Sequence, residues 1–270
     1  MTDNTPAAGR IQAVTFDLYD TLIELHPRRW ERLSAALDRL GIPNDVKVLR
    51  DADLVAEDFY TQENGRVPIR DRPRAERETF RLHYMSVWLE AAGIPHDPPL
   101  LHAVREAYMA EFETPAVESN ATGGYRVFSD VLPALRRLRE AGIKRAVISN
   151  ADADVTNLCT HLAFAHEMNA IITSAVVGWE KPDPRTFRAA LDALGIEPGA
   201  AIHIGDQPKS DVVGALGVGM RAALLDRYGR HDPSQHQVPV YRSLTEFVDA
   251  VLAEQGEAVQ RQEPEKVSRS

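Results

Sequence analysis

The sequence predicts an α/β protein: a Rossmann-like parallel sheet core with an inserted all-helical cap domain. Three observations predict it. Residues 11–18 form an apolar, β-rich run that ends in an acidic loop, a series of helical periods follows without interruption, and from Gly123 onward helix and strand patterns alternate. A chain of 270 residues with 44% hydrophobic content is large enough to bury such a core and to carry a second, smaller domain.

The first run, Ile-Gln-Ala-Val-Thr-Phe-Asp-Leu, reads as a buried strand. Helical segments are predicted over residues 27–40, 46–62, 74–92 and 99–112. The first opens on a proline suited to the first helical position, and it sets Trp30, Leu33, Leu37 and Leu40 on one face. Gly41 and Gly93 stand just past helix ends, where a left-handed residue closes the last turn. With no strand pattern between them, these helices are expected to pack on one another. A helix over 130–141 and a strand over 145–149 then begin the alternation. Further strands are predicted over 170–173, 201–204 and 221–225, with helices over 183–194, 211–216 and 243–253. The first strand has to join this sheet, because alone it could not satisfy its backbone donors and acceptors. Residues 1–24 and 122–253 are therefore assigned to a discontinuous core and 25–121 to a helical cap. Residues 254–270, mostly charged, Gln and Ser, read as a disordered tail.

The formal net charge of -9 argues against a general affinity for nucleic acid or anionic lipid, so any phosphate site would be local. Cys159 is the single cysteine, which excludes an intramolecular disulfide and a multi-thiolate metal site. The N-terminal residues lack an apolar signal core, and no window approaches the roughly 18 apolar residues of a membrane span. A cytoplasmic protein acting on a small molecule is expected. Nothing in the sequence encodes the oligomeric state.

In an open parallel sheet, functional groups gather in loops at the carboxyl ends of strands. Four such loops are chemically unusual: Asp17-Leu18-Tyr19-Asp20-Thr21, Ser149-Asn150-Ala151-Asp152, Lys181-Pro182-Asp183-Pro184, and Gly205-Asp206 through Ser210-Asp211. Asp, Asn and Ser routinely end strands and cap helices, so any one of these loops alone reads as structural. Four in order point to a site. Asp17, Asp206 and Asp211 gathered in one cleft could not all ionise without nearby cations. Lys181 and one Mg²⁺ supply them, and magnesium takes oxygen ligands, commonly one or two carboxylates together with a substrate phosphate.

The run Phe16-Asp17-Leu18-Tyr19-Asp20-Thr21-Leu22 resembles the first motif of the haloacid dehalogenase superfamily, and the other three loops resemble its second, third and fourth motifs. The resemblance covers about residues 11–225, and the long helical insertion resembles the type 1 cap of that superfamily. Residues 178–185, Gly-Trp-Glu-Lys-Pro-Asp-Pro-Arg, are similar to its hydrolase-domain-containing members related to the 2-haloacid dehalogenases. The resemblance implies Asp17 as the carboxylate nucleophile and Thr21 as a residue that helps to hold it. It implies Ser149 and the backbone of Asn150 as ligands of phosphoryl oxygens, and Lys181 as the cation beside nucleophile and intermediate. It also implies a Mg²⁺ site at Asp17, Asp206, Asp211 and the backbone carbonyl of Tyr19. The implied function is hydrolysis of a small phosphorylated metabolite through an aspartyl-phosphate.

One position departs from the pattern. Most phosphatases of the superfamily have Asp two residues after the nucleophile, as general acid and base, whereas Tyr19 stands here. Such catalysis contributes roughly 10² to 10⁴ in rate, so activated leaving groups are expected to be favoured. Asp20 reads as a turn or helix-cap residue, and a phenol is a poor proton donor at neutral pH. Two alternatives follow from Tyr19: a 2-haloacid dehalogenase, in which that position tends to be Tyr, and a catalytically weak protein that binds a ligand or partner. The additional carboxylates Asp206 and Asp211 weigh against the first, and retention of Asp17 against the second. His83, His102 and His161 read as surface or core positions. Trp30, Tyr60, Phe80, Tyr84 and Trp88 read as cap core, and Arg66, Arg70, Arg72 and Arg74 as a solvated loop from which an arginine could reach an anionic substrate.

Overall fold

The computed structural model describes residues 10–111 and 124–262. Strand β1 (Ala13–Phe16) is followed by β2 (Ile23–Leu25), helices α1 (Arg29–Arg39), α2 (Val46–Arg66), α3 (Arg74–Ala91) and α4 (Pro98–Ala110), and β3 (Tyr125–Val127). The alternation then runs α5 (Val131–Glu140), β4 (Lys144–Ser149), α6 (Thr156–His161), β5 (Ala170–Thr173), α7 (Ser174–Val177), α8 (Pro184–Leu194), β6 (Ala201–Gly205), α9 (Val213–Gly217), β7 (Arg221–Leu225), β8 (Val240–Tyr241) and α10 (Leu244–Gln262). Six strands make one parallel sheet in the order β5-β4-β1-β6-β7-β8.

Successive side chains of a strand face opposite ways, and both faces of this sheet are covered. Val14 and Phe16 of β1, Val147 of β4 and Ile202 and Ile204 of β6 share a core with Leu135 and Leu138 of α5 and Phe247 of α10. Ala13, Ala146 and Ile148 face the other way, onto Phe187, Leu191 and Leu194 of α8. Helices α1 to α4 have a separate core around Leu33, Leu37, Leu49, Trp88 and Leu89, in which the Trp88 indole donates to the Leu49 carbonyl at 2.8 Å. Among the described residues, none between Leu25 and Glu111 joins the six-stranded sheet.

Several boundaries differ from the sequence reading. Helix α1 starts at Arg29, not at Pro27, because the Glu31 carboxylate accepts the Arg28 N–H at 2.7 Å and fixes the first turn there. Strands β2 and β3 were not predicted: three residues each are too few to show a period. They pair antiparallel, Ile23 with Val127 and Leu25 with Tyr125, where the chain leaves the core and returns to it. Residues 208–212 form a wide π-helical turn ahead of α9, so the helix expected over 211–216 begins at Val213. Helix α10 continues to Gln262, nine residues into the stretch read as disordered. Its side chains explain the extension, since Glu254 accepts both Arg221 guanidinium nitrogens at 2.6 and 2.7 Å and Gln255 bonds the Ile11 carbonyl and Arg10. The last residues of the predicted cap and tail, 112–121 and 263–270, lie outside the described residues.

Candidate active site

The carboxyl ends of β1, β4 and β6 meet at one point. Asp17 continues β1, and its N–H still donates to the Ile204 carbonyl of β6 at 2.9 Å. Ser149 is the last residue of β4, and Asp206 follows Gly205 at the end of β6. Lys181 arrives from farther away, beyond the short helix α7, and does not stand directly at a strand end. Its backbone is held by Asn150, whose side-chain oxygen accepts the Lys181 N–H at 2.7 Å while its amide donates to the Lys181 carbonyl at 3.0 Å. This amide clamp was not part of the sequence reading of Asn150.

Lys181 Nζ donates to Asp17 Oδ1 and to Asp211 Oδ1, both at 2.6 Å. Asp211 is further fixed by the Gln207 N–H at 2.9 Å and by His203 Nε2 at 3.2 Å. A carboxylate only accepts, so His203 carries its proton on Nε2, and Nδ1 accepts from the Thr15 hydroxyl at 2.8 Å. Gly205 makes room for Asp211: a Cβ there would lie 2.2 Å from Asp211 Oδ2. Asp206 Oδ2 accepts from the Gln207 amide at 3.1 Å and lies 3.8 Å from Arg230 Nη2. Thr21 Oγ1 and Ser149 Oγ are buried without a hydrogen-bond partner, two hydroxyls left to bind something else.

Carboxylate oxygens of Asp17, Asp206 and Asp211 lie within 4.8 Å of one another. Burial, with the Asp211 charge adding to it and Lys181 opposing it, pushes the Asp17 carboxyl up to about 6. Burial and the charges of Asp17 and Asp20 drive Asp206 well above the carboxylate range. Burial would raise Asp211 too, but Lys181 and His203 hold it below its ordinary value. Asp211 is thus neutralised in place by fixed donors. Lys181 is shared between Asp17 and Asp211, so Asp17 and Asp206 ionised together leave an excess of negative charge, which suits a divalent cation bound by hard oxygen ligands. The acidic cluster and the two unpartnered hydroxyls therefore fit a metal ion with an oxyanion beside it.

The predicted histidines are exposed surface residues, as are Arg66 and Arg74; the Arg72 guanidinium is spent on the carbonyls of Val67 and Glu63. Asp20 has a positive φ of 55° and accepts from Arg29 at 3.0 Å and from the Tyr228 hydroxyl at 3.3 Å. The sequence reading missed His203, Arg29, Asp53 and Arg230. Arg29 and Arg230 each donate to Asp53 Oδ2 at 3.1 Å, which joins α2 to the loop after β7. A histidine inside the apolar run Ala-Ile-His-Ile-Gly was a visible signal, as was the Asp-Arg-Tyr-Gly-Arg loop at a fifth strand end.

A cavity of about 110 Å³ is lined by Asp17, Lys181 and Asp206, and it adjoins a larger chamber of about 420 Å³ under α2, α3 and α4. Tyr19, Asp20, Arg29, Glu57, Tyr60 and Asn150 line both, so they mark the passage between them.

A doubly wound sheet with an acidic cluster and a lysine at its carboxyl edge, roofed by helices, defines the class of Rossmann-like α/β hydrolases. Residues 11–219 match the haloacid dehalogenase-like hydrolase family, and the chain belongs to it. The mouse haloacid dehalogenase-like hydrolase domain-containing protein 3 is 29% identical over 255 residues, covering 90% of this chain and 96% of its own length. A glyceraldehyde 3-phosphate phosphatase of Methanopyrus kandleri is 28% identical over 220 residues, or 80% of this chain and 84% of its own. Among solved structures, a 2-haloacid dehalogenase from Pseudomonas syringae superposes with a TM-score of 0.51 at 25% identity, covering 90% of this chain and 99% of the other. The protein is a hydrolase of this family.

Proposed function

We propose that the protein is a Mg²⁺-dependent phosphohydrolase of a small phosphomonoester, working through a phosphoryl group on Asp17. The observation that carries this reading is the gathering of three carboxylates within 4.8 Å, one of them, Asp211, fixed by three donors: Lys181, His203 and the Gln207 N–H. Asp17 and Asp206, with Asp211 in support and the Tyr19 carbonyl, would hold Mg²⁺, which when bound neutralises phosphate oxygens and polarises the phosphorus.

Asp17 attacks phosphorus with one carboxylate oxygen, the bond from phosphorus to the ester oxygen breaks, and the departing oxygen keeps the electron pair. Lys181 stays charged throughout: burial works against it, but Asp17 and Asp211 hold its ammonium above the ordinary range. It offsets the charge that builds on the transferring group. The Ser149 hydroxyl would donate to a phosphoryl oxygen and the Thr21 hydroxyl would help to hold Asp17; both are buried without a partner, which supports these roles. Water then attacks the phosphorus of the aspartyl-phosphate, releasing inorganic phosphate and restoring Asp17. Position 19 lacks the carboxyl that would supply the leaving-group proton, and burial, which raises the Tyr19 phenol far above neutral pH, makes it a weak acid in its place. The proton comes from solvent, which suits acyl and aryl esters.

The dehalogenase alternative draws support from Tyr19. It has no use for Asp206, which would repel both the attacking carboxylate and a haloacid carboxylate. Hydrolysis of acetyl, aryl and alkyl phosphates with and without Mg²⁺, beside chloride release from 2-chloropropionate, separates the two. Phosphate release that requires Mg²⁺ and disappears in Asp206→Ala is expected. Chloride release independent of metal and of Asp206 would replace this reading with the alternative.

A further inference from the structure

Most of the chamber's wall beyond the passage is aromatic or thioether. Tyr60 and Phe80 pack at 5.4 Å between ring centroids, Tyr60 and Tyr84 at 6.0 Å, and Tyr19 on Tyr125 at 5.2 Å. Met85 and Met109 line the same chamber. Aromatic faces and polarizable sulfur favour a flat, polarizable guest. At about 420 Å³ the space is within the range of pockets that enclose a small organic molecule, and exceeds what a phosphate group beside Asp17 would fill.

Four guanidinium groups border the same space, yet each is already matched to a carboxylate. Arg81 and Arg105 converge on Glu78 at 2.9 and 2.8 Å, and Arg28 pairs with Glu24 at 2.9 Å. Arg29 meets Asp20, Asp53 and Glu57 at 3.0, 3.1 and 3.4 Å. Asp152 adds a further negative charge to the wall. A second anionic group on the substrate would compete with these carboxylates for the same guanidinium groups and would meet the negative charge of Asp20, Glu57 and Asp152 in the wall.

We propose that the chamber selects a phosphomonoester with one phosphate and a flat, uncharged aromatic body, the ring lying among Tyr60, Phe80 and Tyr84 while the phosphate reaches Asp17 and Lys181. The assignment of the phosphate end rests on the phosphohydrolase reading above; the assignment of the ring end rests on the chamber wall alone. It is separate from leaving-group chemistry, because a benzyl ester presents a ring with an alkyl-type leaving oxygen.

The test is calorimetric binding of three non-hydrolysable probes to the full chain with Mg²⁺: benzylphosphonate, methylphosphonate and phosphonoacetate. Burial of the ring predicts benzylphosphonate at least about tenfold tighter than methylphosphonate. Phosphonoacetate, with its second anion, binds no tighter than methylphosphonate. Phe80→Leu, which keeps apolar bulk but removes a stacking face, reduces the benzyl advantage and leaves methylphosphonate unchanged. Equal affinity for the benzyl and methyl probes overturns the proposal, as does a benzyl advantage that survives Phe80→Leu undiminished, or a preference for phosphonoacetate. Equal binding with Mg²⁺-dependent phosphatase activity present removes the ring assignment only. Selective benzyl binding without turnover of any phosphate ester removes the phosphohydrolase reading only. Failure of all three probes to bind removes both.

Discussion

Tyr19 stands two residues beyond Asp17, and its ring is packed against Tyr125 in the passage between catalytic cavity and chamber. Desolvation keeps its phenol protonated at any ordinary pH, so it cannot accept a proton from water and is a far weaker acid than the carboxyl that usually stands there. Asp20 does not substitute for it, since its two carboxylate oxygens accept from Arg29 and Tyr228. The native protein should hydrolyse aryl and acyl phosphates far faster than alkyl phosphates. Tyr19→Asp should raise alkyl phosphate turnover by up to roughly 10² to 10⁴, provided the shorter side chain reaches the leaving oxygen. Steady-state rates for an alkyl and an aryl ester in both proteins check this, and a native alkyl rate equal to the aryl rate would show that another group supplies the proton. Lys181→Ala should lower kcat by roughly 10² to 10³, as loss of a preorganised charge does; a change under about threefold would reduce Lys181 to a structural residue.

The end of β6 shows how an element sets the site. Gly205 has Asp211 packed where its Cβ would be, and the π-helical turn over 208–212 swings that carboxylate back over the strand end onto Lys181 and His203. Gly205→Ala should push Asp211 off Lys181 and cut kcat by about 10² or more in the protein that folds. Circular dichroism and turnover measured together test this; near-native turnover would mean that the turn absorbs the methyl group. Much of this region was legible in the sequence. The strands over residues 170–173 and 221–225 fall where their periodicity put them, because each is flanked by turn or helix signals. Asp17, Lys181, Asp206 and Asp211 could be picked out because four chemically unusual loops follow one another in order along the alternating pattern, where any one alone would have read as structural. The β2–β3 pair was not legible, since its register depends on residues a hundred positions apart. Nor were the contacts of Asp53 with Arg29 and Arg230, because on α2 it reads as one more solvated acid. Tyr60, Tyr84 and Trp88 were taken for cap core; Trp88, at 0% exposure, is cap core and Tyr84 packs against it, but Tyr60 and Tyr84 also line the chamber. Helical spacing gives the face of a helix but not whether that face meets a neighbour or a void.

The molecule as a whole joins a sheet that gathers negative charge to a helical roof that shields it from water. The fold therefore stores electrostatic strain that a bound cation would relieve. Asp17 in the folded state titrates near about 6, against about 3.9 when unfolded. Across that interval the native state binds more protons than the unfolded state, so stability falls as pH rises. Asp206, raised further, acts in the same direction. Asp211 has the opposite sign, but its contribution is lost only below the ordinary carboxylate range, outside this window. Metal-stripped protein should consequently show a falling Tm from mildly acidic to neutral pH. Mg²⁺ should raise Tm at neutral pH and have little effect at acidic pH, and Asp206→Ala should abolish that increase. Thermal unfolding with and without Mg²⁺ across this range checks the sign. A Tm indifferent to Mg²⁺ at neutral pH would speak against a cation site at this cluster.

The central claim is that Asp17 carries the phosphoryl group during turnover, and the missing acid and base should slow breakdown of that intermediate enough to catch it. The direct measurement is rapid acid quenching after mixing the protein with acetyl phosphate and Mg²⁺, followed by mass spectrometry of the peptide that contains Asp17. One phosphoryl group on that aspartate, present only with Mg²⁺ and absent in Asp17→Asn, is the predicted result. Phosphate release at full rate with the modification on another residue, or continuing in Asp17→Asn, would contradict it.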